Sequence, residues 1–468
     1  MIRYVSTRGG GAPRSFTDVL LSGMAPDGGL YVPDSLPEID HALLGHLQGL
    51  HYADVAMHVL QPFVGDAIDK ATLQRLINET YTGSAFDHGC VAPLVQIGPN
   101  AWILELFHGP TLSFKDYAMQ LLGRMFDHVL EQKGARITIV GATSGDTGSA
   151  AIEACKGCKN IDIFILHPNG RTSEVQRRQM TTVDAPNVHN IALEGTFDDC
   201  QAIVKNMFAD IQLRNELNLS AVNSINWARI MAQTVYYFTA ALALGAPGRP
   251  VSFTVPTGNF GNVYAAYTAR RMGLPIHKLG IATNRNDILA RFFETGVMKT
   301  EKVTPSLSPS MDIQVSSNFE RYLYALMEQD HGSLIKIMES FKKSGTFRLS
   351  DEIMQKARAE FFARRCGDLE TLDTMKACYE RTGELIDPHT AVAMNGAMQI
   401  MEEDPAVPMV ILACAHPSKF PNAVEQATGT KAPAVPRLAE VMKKAEYYTK
   451  LPNALKQVKN FVQDHASH

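Results

Sequence analysis

Lys115 stands between Phe114 and Asp116, just after an apolar strand-like run and the Gly109-Pro110 break. An amine in that setting is a candidate nucleophile toward a carbonyl compound. Taken alone it is more often a lysine that lays its stem along an element boundary and keeps its ammonium in water. Two glycine-rich turns further along shift the balance. Gly141-Ala-Thr-Ser-Gly-Asp-Thr-Gly148 directly follows a strand ending at Val140 and precedes a helix beginning near Ser149. Backbone amides, the helix dipole and the hydroxyls of Ser144 and Thr147 would welcome a carboxylate or phosphate there. No Lys-Ser/Thr pair follows the glycines and the G-x-G-x-x-G spacing is missing, so the turn is neither a P-loop nor a dinucleotide fingerprint. A tight turn with a capping serine is the plainer alternative. Pro256-Thr-Gly-Asn-Phe-Gly-Asn262 again joins a strand to a helix. Its glycines let the backbone approach a phosphate closely, and Asn259 and Asn262 can donate side-chain hydrogen bonds. This is the stronger phosphate signal, although Asn and Gly also recur in such turns for backbone reasons alone.

Between the two turns, Val222-Asn-Ser-Ile-Asn-Trp-Ala-Arg229 puts an arginine one turn into a helix whose start carries Asn223, Ser224 and Asn226. A guanidinium grips phosphate or carboxylate bidentately; a capped helix with Arg229 paired to an acid is the equal alternative. Ala413-Cys-Ala-His-Pro-Ser-Lys-Phe420 also follows an apolar strand. A lysine, a phosphate cradle and a carboxylate cradle at one sheet edge are the parts of a pyridoxal phosphate site. Lysine forms the Schiff base and a helix N-terminus holds the cofactor phosphate.

An edge of that kind needs parallel strands that alternate with helices. From about residue 99 the chain has that rhythm, with apolar strand runs at 137–140, 161–166, 188–193, 251–255, 278–282 and 409–413. Ser173-Glu-Val-Gln176 is a capping-box pattern, and Trp227 to Leu244 reads as a long apolar-faced helix. The Ser- and Pro-rich segment from Thr304 to Ser317 is a loop, and helical stretches between Asn318 and Arg381 read as an insertion. Residues 1–98 read as a separate unit, with a strand at Tyr4 and helices at Phe16–Met24, Tyr52–Val64 and Lys70–Tyr81. Pro436 to Ala466 reads as two amphipathic helices.

At 468 residues the chain exceeds one ordinary core. Hydrophobic residues at 45%, charged residues at 20% and a formal charge of -4 describe a soluble globular protein and argue against a nucleic-acid partner held through phosphates. No leader is visible before the first strand, and the longest apolar tract, Ile230 to Leu244, is short for a membrane span. An odd count of seven cysteines suits free thiols in the cytoplasm. Cys155 and Cys158 form a C-x-x-C without a second pair or nearby histidines, so no metal is expected.

The motifs as a set resemble the threonine synthase family, in its longer form with an N-terminal domain. H-G-P-T-L-S-F-K-D at 108–116, G-A-T-S-G-D-T-G at 141–148, N-S-I-N-W-A-R at 223–229, P-T-G-N-F-G-N at 256–262 and A-H-P-S-K-F at 415–420 carry the resemblance. S-T-R-G at 6–9, D-G-G-L-Y-V-P at 27–33 and M-D-I-Q-V-S-S-N-F-E-R at 311–321 extend it over nearly the whole chain. The resemblance implies an α/β protein, a fold type II pyridoxal phosphate enzyme with two doubly wound lobes, an N-terminal α+β domain, a helical insertion and C-terminal helices. The expected domains are 1–98, then 99–135 with 225–468 as the large cofactor-binding domain, its insertion at about 318–381, and 136–224 as the small domain.

The implied reaction converts O-phospho-L-homoserine and water to L-threonine and phosphate. Lys115 would carry the cofactor and shuttle protons. Gly258, Asn259, Phe260, Gly261 and Asn262 would hold its phosphate, with Asp146 near its 3-hydroxyl. Ser144, Gly145 and Thr147 would bind the substrate carboxylate, and Asn226 with Arg229 its phosphate. Cys414 takes a place facing the pyridine nitrogen where related enzymes often have serine or threonine, and a thiol is a weak partner there. The expected enzyme is a monomer or homodimer with no membrane partner. Another fold type II enzyme, such as a threonine dehydratase, or a silent homologue that binds the cofactor without turnover, are the competing readings.

Overall fold

The computed structural model describes residues 2–83, 85–143, 145–221 and 224–467. They fall into two compact units. The first takes in residues 1–19, 24–108 and 224–433, the second residues 20–23, 109–223 and 434–468.

The first unit is built on a six-stranded sheet. Its order is Phe361–Arg365, Ile276–Thr283, Val251–Pro256, Met409–Ala413, Ala101–Glu105, Leu94–Gly98. All neighbours pair in parallel except the last two, which are antiparallel. Val251–Pro256 and Met409–Ala413 are buried at every position, as continuous apolar runs in the middle of a covered parallel sheet must be. The Trp227–Ala243 helix is buried over nearly all its length, and its first residue seats the N-terminal segment: the Trp227 ring lies 6.2 Å from Tyr4 and 5.7 Å from Phe63. Tyr52–Val64 forms as the apolar spacing predicts.

The stretch from Asn318 to Arg381 does hold helices, at Phe319–Leu326, His331–Ser344, Asp351–Glu360 and Asp368–Thr382. It also holds Phe361–Arg365, which pairs with Ile276–Thr283 and becomes the sheet edge. Five residues are too few to show a period, and what makes them a strand is tertiary: Phe361 packs into an aromatic cluster while Arg364 and Arg365 guard the open edge. The Ser/Pro-rich loop is pinned from inside. Asn284 and Asn286 both donate to Asp312 Oδ1 at 2.8 Å, and Ser306 Oγ donates to the same oxygen at 2.6 Å.

The second unit carries a wholly parallel sheet in the order Thr449–Pro452, Val188–Glu194, Ile161–Pro168, Ile137–Ala142, Leu219–Ser220. Its core joins Phe164, Leu166, Ile191 and Leu193 to Val458 and Val462 of the tail. The tail has helices at Pro436–Val441 and Leu455–His465, and between them Thr449–Pro452 adds a strand that the helical reading of this segment omits. It is short and ends in proline, as edge strands tend to.

All seven cysteines are free. Burial pushes the Cys158 thiol up to about 12, helped by Asp127, and drives Cys155 well above its ordinary value. Such thiols are inert. Alkylation of the native protein should therefore modify the exposed Cys90 first, as read by peptide mass, and early loss of Cys155 or Cys158 would contradict this. Among the described residues no cluster of His, Cys, Asp and Glu is arranged to hold a metal, and no helix is long and apolar enough to cross a membrane.

Candidate active site

The second unit presents Lys115 at the head of the Lys115–Lys133 helix, buried with its amine. The segment before it is tied by Asp116, whose carboxylate accepts from Thr111 N and Thr111 Oγ1, each at 2.8 Å. Leu112 is held at φ 58, a region that costs a branched side chain about 1 kcal/mol or more and persists only where the surroundings fix it. The acid beside the lysine is thus a clamp for the loop. Lys115 Nζ lies 3.5 Å from Asp146 Oδ2 and 5.1 Å from the centre of the Phe114 ring.

Asp146 opens the Asp146–Cys155 helix, directly after the first glycine turn. Thr143 organises that turn: its Oγ1 accepts the amides of Gly145 and Gly148, both at 3.0 Å. Thr147 stands half-buried in the first turn of the helix, where the dipole favours an anion. Gly145 has no room for a side chain, because a Cβ would run into the amide of Gln176. Ser144 lies outside the described residues, as does Asn223.

The first unit presents the second turn, at the end of Val251–Pro256 and the start of the Gly261–Arg271 helix. Phe260 sits at φ 60, locked there by rings of Phe319 at 5.0 Å, Phe361 at 5.7 Å and Tyr322 at 5.8 Å. The turn's carbonyls are tied outward. Ser316 Oγ donates to Gly258 O at 2.7 Å, and Asn318 donates to Asn259 O through N at 3.0 Å and Nδ2 at 2.9 Å. Behind it, His389 Nε2 accepts from Ser310 N at 3.3 Å and its Nδ1 meets Asp387 at 2.6 Å. A Cβ on Gly258 would come within 3.0 Å of the Ser310 carbonyl.

Asn262 differs from the expectation of a phosphate-facing amide. Its Oδ1 accepts from Tyr236 at 2.5 Å and Tyr237 at 2.8 Å, and its Nδ2 lies 3.7 Å from Cys414 Sγ. What it can offer at the turn is backbone N–H at a helix start. Cys414 is thereby placed beside the second turn, buried. His416, two residues on, accepts from Ser418 N at 3.1 Å, and burial pulls its pKa down to about 4, so it is neutral near pH 7. Burial opposes charge on His108 too, but Glu105 at 2.8 Å and Asp87 at 3.0 Å outweigh it and raise its pKa.

Asn226 caps the Trp227–Ala243 helix, its Oδ1 accepting from Ala228 N at 3.0 Å. Arg229, one turn in, is buried at 4% exposure, and its Nε and Nη1 find no partner among the described residues. Burial lowers its pKa to about 10. A desolvated guanidinium with unused donors is built for an anion.

Each unit, taken by itself, holds residues whose chemistry suits pyridoxal phosphate or its substrate. One holds a buried lysine against a carboxylate. The other holds a helix start, a glycine whose Cβ would press on the Ser310 carbonyl, and a buried guanidinium. Sequence reasoning gave no role to Thr143, Gln176, Ser316 or Asn318. Each lies in a quoted motif, Gln176 in the capping-box pattern, but contacts such as that of Gln176 with Asp146, 30 residues away, leave no local trace.

A family described as pyridoxal-phosphate dependent enzyme matches residues 91–415. Flanking matches are to the threonine synthase N terminus at 3–81 and the threonine synthase C-terminal family at 390–462. The chain is 52% identical over 467 residues to the threonine synthase of Pseudomonas aeruginosa, covering 100% of this chain and 99% of that one. It is 42% identical to that of Saccharomyces cerevisiae, over 91% of this chain and 88% of the relative. Among solved structures, a pyridoxal-phosphate-bound threonine synthase from Brucella melitensis superposes with a TM-score of 0.97 at 51% identity, over the whole of both chains.

Proposed function

The chain belongs to the threonine synthase family of pyridoxal-phosphate enzymes, and on that premise we propose how its own residues convert O-phospho-L-homoserine and water to L-threonine and phosphate. When bound, pyridoxal phosphate supplies the electron sink that makes the C–H bonds next to the substrate amine removable. Lys115 would be joined to it. Gly258, Asn259, Phe260, Gly261 and Asn262 would hold its phosphate through helix-start amides, and Asp146 and Cys414 would border its ring.

Lys115 Nζ takes the α proton of the substrate, gives it up within the site so that the amine is neutral again, and then takes a β proton. One base on one face serves both transfers, and protons are later returned at the γ and α carbons. Asp146, 3.5 Å away, holds the amine in place when it is charged. Thr147, with Ser144, binds the substrate carboxylate at the start of the Asp146–Cys155 helix, and Gly145, its own amide given to Thr143 Oγ1, keeps the turn closed. Arg229 and Asn226 hold the substrate phosphate. As the γ carbon–oxygen bond breaks, charge grows on that phosphate, and a desolvated guanidinium stabilises it more than water would. Water then adds at the β carbon. A monomer or homodimer completes the reading, in the cytoplasm, a compartment that the seven free thiols support.

The observation that carries the assignment is a buried lysine amine held against Asp146 at the start of the glycine-turn helix. Incubation with O-phospho-L-homoserine should release phosphate and threonine in equal amounts. Phosphate without threonine, or no release, would contradict it. A threonine dehydratase would instead consume threonine and need no second phosphate cradle.

A further inference from the structure

The Glu174–Thr181 helix contributes nothing to the roles above, yet it touches both flanks of Lys115. Gln176 Nε2 donates to Asp146 Oδ1 at 3.0 Å, while Asp146 Oδ2 faces Lys115. The Gln176 amide cannot turn over, because its Oε1 accepts from Ser173 Oγ at 3.0 Å and Ser173 Oγ in turn accepts from Gln176 N at 3.3 Å. One helical turn on, Gln179 Nε2 donates to Thr111 O at 3.0 Å, in the loop that Asp116 clamps. The opposite face of the helix is fixed by the tail. Arg177 reaches Glu446 with two nitrogens, at 2.8 and 3.2 Å, and Thr181 Oγ1 donates to Glu446 at 2.7 Å.

We propose that Gln176 is a positioning residue for the reaction. It fixes the rotation of the Asp146 carboxylate, so that one oxygen is spent on the amide and the other is aimed at Lys115. The absence of a side chain at Gly145 is part of the same device, since any Cβ there would displace the Gln176 amide. Among the described residues, charged groups near this contact include Lys115 and Asp146 themselves, Asp116 bound by Thr111, and Arg177 turned away to Glu446. Arg178 on the same helix reaches Glu174 at 3.3 Å.

The inference rests on Lys115 carrying the cofactor, and the test separates the two. In the holoenzyme, Gln176→Glu keeps the length but puts a second carboxylate beside Asp146. The pH midpoint of the cofactor's visible absorption should rise by about one unit. Gln176→Met keeps the bulk and removes the donor, and kcat should fall about tenfold with KM within about twofold. The shift in Gln176→Glu reports that this position lies within electrostatic reach of the amine, and the loss of kcat in Gln176→Met reports the donor itself; a role in packing alone would leave kcat and KM of Gln176→Met moving together. Parental midpoint and parental kcat in both variants would overturn the inference. A parent protein that shows no visible absorption after loading would overturn the functional reading, and this inference with it.

Discussion

Lys115→Ala should abolish phosphate release from O-phospho-L-homoserine, with a loss of at least about 10⁴-fold, because one amine is asked to serve as attachment point and as the base in successive proton transfers. The fold should survive. Lys115 is the first residue of its helix, and the clamp that shapes the loop before it runs between Thr111 and Asp116, not through the lysine. Alanine is a good helix former, so helix content should be unchanged. Lys115→Arg restores the charge beside Asp146 but cannot form the covalent link. It should be as inactive as the alanine variant, and more stable where the ion pair matters. Activity in either variant within about 100-fold of the parent would mean that another group does the chemistry.

Arg229→Met should separate stability from turnover. The Arg229 guanidinium is buried, and its Nε and Nη1 make no hydrogen bonds among the described residues. Burial, the main cause, lowers its pKa to about 10 from an ordinary 12.5. A base whose folded pKa is depressed binds fewer protons folded than unfolded only in the window between those values, so stability should rise with pH there. Below about pH 10 the group is charged in both states and the full cost of burying it is present. Methionine fills a similar volume without that cost, and the cofactor-free variant should melt at or above the parent. Phosphate release should fall by about 10²-fold or more, the scale for one lost donor to a developing anion. Turnover within tenfold of the parent would remove Arg229 from the phosphate cradle. A lower melting temperature would show that its unused donors are satisfied in solution.

What could be read in the sequence was what is local. The Tyr52–Val64 helix, the strand runs at 251–255 and 409–413 and the two glycine turns all announce themselves within a few residues, through period, branching or turn chemistry. Lys115 was conspicuous because a glycine, a proline and an acid surround it. What escaped depends on distant partners. Phe361–Arg365 is a strand because a sheet edge is waiting for it, and Thr449–Pro452 because Val188–Glu194 is. Phe260 takes a left-handed conformation because Phe319, Tyr322 and Phe361 hold its ring, two of which lie beyond the Ser/Pro-rich loop and one in the hidden strand. The side chain of Asn262 was expected at a phosphate, and nothing near it in sequence shows that Tyr236, Tyr237 and Cys414 claim it. Gln176 reads as half of a helix cap, and only the fold reveals that its amide reaches Asp146.

The covalent role of Lys115 is tested most directly by loading the protein with pyridoxal phosphate, reducing it with borohydride and mapping the added mass after proteolysis. The expected result is a single modified peptide with the cofactor fixed on Lys115. A saturated protein in which Lys115 stays unmodified, or in which the mass falls on another buried lysine such as Lys419, would contradict it.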